Sequence, residues 1–117
     1  MAKTPNYMQA IAVDAISGTS ASAAITLNCE AFNITTESLT TAAAAEYTLT
    51  MTNDRIGVDS MILFTVGKGT TTQGTMIAGG ATPAAGSAVL VMTNTHTSEA
   101  LNGTLKIKGI IINPRYV

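Results

Sequence analysis

The chain has little charge and almost no aromatic side chains. Of its 117 residues, 11% are charged and 4% are aromatic, and tryptophan is absent. A soluble domain usually carries about 25% charged residues, which help to keep its surface hydrated. Because hydrophobic residues still make up 46% of the chain, we expect part of its surface to be covered by further copies or by another protein.

The charges that are present are scattered and nearly balanced. The formal net charge is −1, and the six Lys and Arg residues form no basic stripe of the kind that neutralises nucleic-acid phosphates. No apolar run approaches the roughly 18 residues of a membrane-spanning helix. The opening MAKTPNYMQA lacks the apolar core of a secretory signal. We therefore expect no nucleic-acid partner, no membrane partner and synthesis in a cytoplasm.

A single cysteine and a single histidine restrict the chemistry that the chain can perform. Cys29 lies in an alternating apolar run and has no second cysteine to pair with, so we expect it in the core. His96, Ser98 and Glu99 are near neighbours on one predicted loop, whereas a working triad takes its members from separate elements that orient them. We therefore expect no catalytic residue, no metal site, no cofactor and no small-molecule substrate.

Alternation of apolar and polar residues dominates the first half of the chain. Residues 10–16, 24–30 and 46–53 place apolar side chains at every second position, with Ile25, Leu27 and Cys29 as one example. Threonine, which is β-branched and suits a solvated strand face, fills many of the positions between. These segments predict strands with one buried face.

Three later segments are apolar on both faces: 60–67, 87–93 and 106–113. A strand that is apolar on both faces must be covered on both. Since no helix is predicted to cover the second face, we expect a second subunit to do so. The candidate subunit-interface residues are Ile62, Phe64, Val89, Val91, Ile110 and Ile112.

Segments rich in Gly, Asn, Ser and Thr separate these runs, and the spacing suits a sandwich. Residues 17–22, 52–59, 67–74 and 79–86 are predicted to turn, and the alanine-rich segment 36–46 would give at most a turn or two of helix. We predict an all-β, antiparallel and jelly-roll-like sandwich of seven or eight short strands. Residues 1–22 would form an N-terminal arm or a first edge strand, and 23–117 a single domain.

Several phrases occur in a recognisable order between about residues 35 and 112. They are ESLTTAAAAEYTLTMTN, an apolar strand running into GTTTQGT, TPAAGSAVLVMTN, and the pattern H-x-x-x-A-L-N-G-T-L-K-I. In their order and spacing these phrases resemble small proteins encoded among the head genes of tailed bacteriophages, described as capsid decoration or cement proteins.

The resemblance implies a structural role in the virion. Such proteins form homotrimers of jelly-roll or β-sandwich protomers that bind the major capsid protein on the outside of the head, at three-fold or quasi-three-fold positions. They have no active site. Residues before about 23 would then be an arm that reaches over the shell, with Lys3, Pro5, Tyr7 and Met8 as candidate contacts, unless this segment is only a disordered terminus.

A second virion role stays open at this point. The chain could be a trimeric β-module of a tail fibre, spike base or head fibre that binds a host glycan or another virion protein. Sugar sites usually present aromatic faces for stacking, and this chain has only Tyr7, Tyr47 and Tyr116 besides two phenylalanines.

Overall fold

The computed structural model describes residues 15–114. These residues form eight β-strands and no helix, so the predicted all-β class is confirmed. The strands are β1 (Ala15–Thr19), β2 (Ala24–Thr26), β3 (Ala31–Thr35), β4 (Glu46–Thr52), β5 (Met61–Lys68), β6 (Met76–Ala84), β7 (Ser87–Asn94) and β8 (Leu105–Ile112).

The eight strands form two four-stranded sheets that face each other across one core. The front sheet has the strand order β1-β3-β8-β5, and the back sheet has the order β2-β4-β7-β6. The β1–β3 and β2–β4 pairs are parallel, and the other four pairs are antiparallel. The structure is therefore a small sandwich of two mixed sheets. The expectation of purely antiparallel sheets is wrong, and jelly-roll topology is not confirmed.

The parallel pairs follow from the route of the chain. From β1 to β6 each strand lies in the sheet opposite to the one before it, so β1 and β3 share a sheet, as do β2 and β4. Between β1 and β3, and again between β2 and β4, the chain crosses to the other sheet and then returns. It re-enters the first sheet in its original direction, so the two strands of each pair are parallel. Within the described residues the one hairpin between sequential neighbours is β6–β7, whose turn has Gly86 at φ 81°. A positive φ of this kind favours glycine.

Strand boundaries differ from the prediction where small residues occur. Residues 79–86 were expected to turn, but Gly79 to Ala84 belong to β6, an edge strand that tolerates Pro83 because one of its sides is unpaired. Residues 17–19 belong to β1 rather than to a turn. The segment 36–46 contains no helix. In segment 24–30 the strand ends at Thr26, although Leu27 and Cys29 are buried as expected.

The core lies between the inner faces of the two sheets. Tyr47, Leu49 and Met51 of β4 alternate with exposed residues, as the sequence predicts, and pair with Met92, Leu90 and Ala88 of β7. The front sheet contributes further buried side chains opposite them. These are Phe32, Ile34, Leu105, Ile107 and Ile111.

The two central strands of the back sheet end in the same short sequence. Leu-x-Met-Thr-Asn occurs at 49–53 and at 90–94, and Leu49 pairs directly with Leu90. Because β4 and β7 are antiparallel, the repeat places Asn53 at one end of the strand pair and Asn94 at the other. Both asparagines are completely buried, at 0% exposure.

Each buried asparagine joins chain segments that leave different strands. The Asn53 side chain donates to the carbonyl of Cys29 (2.8 Å) and accepts from the backbone N–H groups of Cys29 (3.2 Å) and Arg55 (2.9 Å). Asn94 donates to the carbonyls of Thr41, Ala42 and Glu99 and accepts from the N–H groups of Thr75 and His96, at 2.9–3.3 Å. The two amides therefore fix the connections at both ends of the sandwich.

We predict that Asn53→Ala lowers the free energy of unfolding by about 2–3 kcal/mol, because it leaves the buried N–H and carbonyl of Cys29 and the partly buried N–H of Arg55 without partners. Asn28→Ala is the matched control in the same region, since its side chain bonds only an exposed N–H, that of Asp54. Urea unfolding of both variants measures the difference. Equal stability of the two variants would contradict the role assigned to Asn53.

Candidate functional site

A partly buried polar cluster lies where β1 turns towards β2. Glu37 accepts hydrogen bonds from the Ser20 hydroxyl, the Ala23 backbone N–H (2.8 Å) and the Tyr47 hydroxyl (3.1 Å). The turn it holds contains Ser22 and Ala23 with φ of 51° and 59°, a left-handed conformation that costs a non-glycine residue about 1 kcal/mol or more. The carboxylate therefore holds a strained turn in place.

The electrostatics of this cluster favour an ionised Glu37 beside a neutral Tyr47. Burial raises the pKa of Glu37, but the hydrogen bonds donated to it outweigh that effect, and its pKa lies below the ordinary value. Burial, together with the neighbouring Glu37 carboxylate, raises the pKa of Tyr47 to about 12. Every polar group in the cluster is engaged with another part of the chain, so the cluster acts as a structural clamp.

His96, Ser98 and Glu99 form a small closed loop. The His96 Nδ1 atom accepts from the backbone N–H groups of Ser98 (3.0 Å) and Glu99 (2.9 Å), and Nε2 lies 2.9 Å from Glu99 Oε1. Both ring nitrogens are thus engaged by the loop itself, and neither is placed to take a proton from the Ser98 hydroxyl. His96 therefore closes this bend through its side chain, and residues 98–101 contain no helix.

The described residues form neither a metal site nor a membrane-spanning helix. Across residues 15–114, no group of three or more His, Cys, Asp or Glu side chains could hold a metal ion. The same residues contain no helix long and apolar enough to cross a membrane. Cys29 is buried, and burial raises its thiol pKa.

The candidate interface residues lie on three different surfaces. Ile110 and Ile112 point outward from the front sheet. Val89 and Val91 point outward from the back sheet, where β4 and β6 place threonines beside Val89 and a threonine and a glycine beside Val91. Ile62 and Phe64 are half-buried and face the core from the edge strand β5. The arm residues Lys3, Pro5, Tyr7 and Met8 lie outside the described residues.

Exposed aliphatic side chains lie side by side on the front sheet. Its outer face pairs Met61 with Ile112 and Leu63 with Ile110, so four large aliphatic side chains adjoin one another. Leu63 is 54% exposed, and Met61 and Ile112 are 48% and 40% exposed. We call these four residues the outer apolar patch. Such exposed groups of aliphatic side chains mark interaction surfaces more often than isolated ones do.

A cleft continues the outer apolar patch around the edge of the sandwich. It has a volume of about 650 Å³ and lies between β5 and the Ala78–Gly80 part of β6. Leu63 and Ile110 belong to both the patch and the cleft lining, and Ile62 and Phe64 line the cleft from the core side. Ile62 and Phe64, which were predicted from the sequence to lie in a subunit interface, therefore line this cleft.

Charge is distributed unequally between the two sheets. The four strands of the front sheet contain Lys68, Lys106 and Lys108 and no Asp or Glu, whereas the strands of the back sheet contain Glu46 and no Lys or Arg. Lys106 and Lys108 lie on the outer face, next to the outer apolar patch. The front sheet thus presents an outer face that is aliphatic at one end and cationic at the other.

Comparisons with protein-family models, with curated proteins and with solved structures find no match to this chain.

The Glu37 clamp makes a prediction about pH. Because its pKa is lowered in the folded state, the ionised carboxylate contributes stability that is present above the unfolded pKa and is lost as pH falls through the folded pKa. Glu37→Gln should therefore lower the free energy of unfolding at pH 7 by about 1–2 kcal/mol. Below pH 5 the free energy of unfolding of this variant should fall less steeply than that of the wild type.

Glu46→Gln serves as the control, since Glu46 is an exposed residue on the same strand as Tyr47. Urea unfolding at a series of pH values measures both variants. If the free energy of unfolding of Glu37→Gln falls with decreasing pH in parallel with that of the wild type, the clamp is not the source of the loss of stability in acid.

Proposed function

We propose that this protein is a structural virion protein: a capsid decoration, or cement, protein. It binds the outer surface of an icosahedral phage head as a homotrimer and stabilises the shell at three-fold or quasi-three-fold positions. The observation that carries the proposal is the outer apolar patch, a surface whose exposed aliphatic side chains suit protein–protein contact.

The phrases that resemble decoration proteins lie together in the fold. TPAAGSAVLVMTN spans the end of β6, the Gly86 turn and β7, and ESLTTAAAAEYTLTMTN leads into and includes β4. The fourth phrase, from His96 onward, runs into β8. The resembling residues therefore form the centre of the back sheet and its connection to the front sheet, which supports a likeness of the whole domain rather than of isolated turns.

A cement protein acts through contact area. Burial of apolar surface contributes about 25 cal/mol per Å², so a decoration protein raises the free energy needed to separate neighbouring capsomers. A trimer adds multivalency, because attachment of one subunit places the other two at high effective concentration near their own sites. On this proposal the outer apolar patch, which includes the candidate interface residues Ile110 and Ile112, contributes to the subunit contacts. The protein is made in the host cytoplasm and resides on the virion.

The trimer can be tested by light scattering on a sizing column. We expect a species of about 36 kDa, three times the 12.0 kDa of one chain. Leu63→Asp places a charge in the outer apolar patch and should shift the mass towards one chain. Ile77→Asp is the matched control, because Ile77 is 50% exposed but lies on β6 of the back sheet. A monomeric wild type that also fails to assemble on heads would contradict the proposal.

Shell binding is tested by co-sedimentation with expanded phage heads. The intact chain should sediment with heads, and removal of residues 1–14 should weaken attachment while the mass in solution stays unchanged. The truncation ends before β1, so it leaves all eight strands in place. Unchanged attachment after truncation would rule out the arm, and no attachment of the intact chain would rule out the decoration role.

A further inference from the structure

Four strands lie at the edges of the two sheets, and three of them are poor templates for a further strand. β1 and β2 are only 5 and 3 residues long. β6 has a bulge between Ala78 and Gly80 and contains Pro83. Short strands, bulges and prolines are the devices by which proteins protect sheet edges from pairing.

The fourth edge strand, β5, has none of these protections. Its eight residues pair with β8 in an unbroken register, and it contains no proline and a single charge, Lys68 at its end. Such a long and regular apolar edge presents unpaired backbone groups and would be a liability unless something covers it.

The hydrogen-bond pattern identifies which groups of β5 are unpaired. In β8, the Ile111 N–H donates to Glu30 and the Leu105 carbonyl accepts from Thr36, so the odd-numbered residues of β8 point towards β3. The even-numbered residues of β8 must then bond β5, at Met61, Leu63, Thr65 and Gly67. The backbone N–H and C=O groups of Ile62, Phe64 and Val66 consequently face the edge with which no other described strand pairs.

The space beside this edge is the apolar cleft. It adjoins Ile62 and Phe64, and Gly79 and Gly80 of β6 form its opposite wall without side chains to fill it. A strand added to β5 would direct alternate side chains into the cleft and the others outward, beside Met61, Leu63 and Thr65. The cleft volume of about 650 Å³ is sufficient for several aliphatic side chains.

Charge indicates what kind of strand this edge accepts. Lys108 lines the cleft and, with Lys106, lies one strand away from the edge, opposite Thr65 and Gly67 respectively. An added strand would lie two strand spacings, about 10 Å, from the lysine backbones. Because Thr65 is small, Lys108 can reach across it to a carboxylate on that strand. Lys106 donates to the Thr35 hydroxyl of β3 (2.6 Å), an exposed bond that it would exchange for a carboxylate opposite Gly67.

A second copy of this chain does not supply both carboxylates. The strands of its front sheet contain lysines and no acid, and residues 1–14, outside the described part of the chain, contain one acid, Asp14, together with Lys3. We propose that β5 is a docking edge for an extended segment of another protein. That segment has aliphatic side chains at alternate positions and carboxylates placed to meet Lys106 and Lys108. The inference does not depend on the shell-binding proposal, although a capsid protein could supply such a segment.

The test uses the full chain and a synthetic peptide of eight residues, the length of β5. The peptide alternates valine and threonine and has glutamates at the two positions that would lie beside Thr65 and Gly67 in antiparallel pairing. In an NMR titration we expect the amide signals of Ile62, Phe64 and Val66 to shift and become protected from exchange, with a dissociation constant below about 1 mM.

Two control peptides separate strand addition from general stickiness. N-methylation of the amides that would bond β5 should abolish binding, and lysines in place of the glutamates should weaken it about two- to fivefold. Lys108→Glu should reverse the preference between the glutamate and lysine peptides, and Glu46→Lys, on β4 of the back sheet, should leave the preference unchanged.

Three results would overturn the proposal. They are no binding at about 1 mM, equal binding of the N-methylated peptide, and signal changes confined to residues outside β5 and β8. A fourth result would show self-association instead. If the β5 amides are protected from exchange in the protein alone and lose that protection on dilution, a second copy occupies the edge and the proposal of a different partner protein is wrong.

Discussion

The sandwich depends on two buried amide groups. The chain crosses from one sheet to the other at nearly every connection, so its loops carry many backbone groups that no neighbouring strand can satisfy. Asn53 and Asn94 satisfy these groups from inside, at opposite ends of the central β4–β7 pair. The leucines and methionines between them fill the core, and the asparagines determine how the crossing segments enter and leave it.

The same constraint explains what the sequence could and could not predict. An alternating run identified β4, and runs that are apolar on both faces identified β5, β7 and β8. The runs gave no information about strand direction, so the parallel pairs were missed. β6 was taken for a turn because Gly79, Gly80 and Pro83 are typical of turns as well as of edge strands. The Glu37 clamp joins three segments that are distant in sequence, and only folding brings them together. The repeated Leu-x-Met-Thr-Asn was the available signal for the buried asparagines.

The surface divides into faces of different character. The outer face of the back sheet presents mainly threonine and valine, with Ile77 on β6, whereas the front sheet combines the outer apolar patch with two lysines and an unprotected edge strand. This division links the low charge of the chain to its proposed role. A protein that acts through contact area keeps its aliphatic side chains at the contact, and the clamps at Glu37, Asn53 and Asn94 hold that surface in a fixed shape.

The most direct measurement is a cryo-electron microscopy reconstruction of expanded heads incubated with the protein. The account predicts density on the outer surface at three-fold or quasi-three-fold positions, with the outer apolar patch of the front sheet against neighbouring subunits or the shell. Bare heads would contradict the decoration role. Attachment through the threonine and valine face of the back sheet, with the outer apolar patch left in solvent, would contradict the assignment of the contact surface.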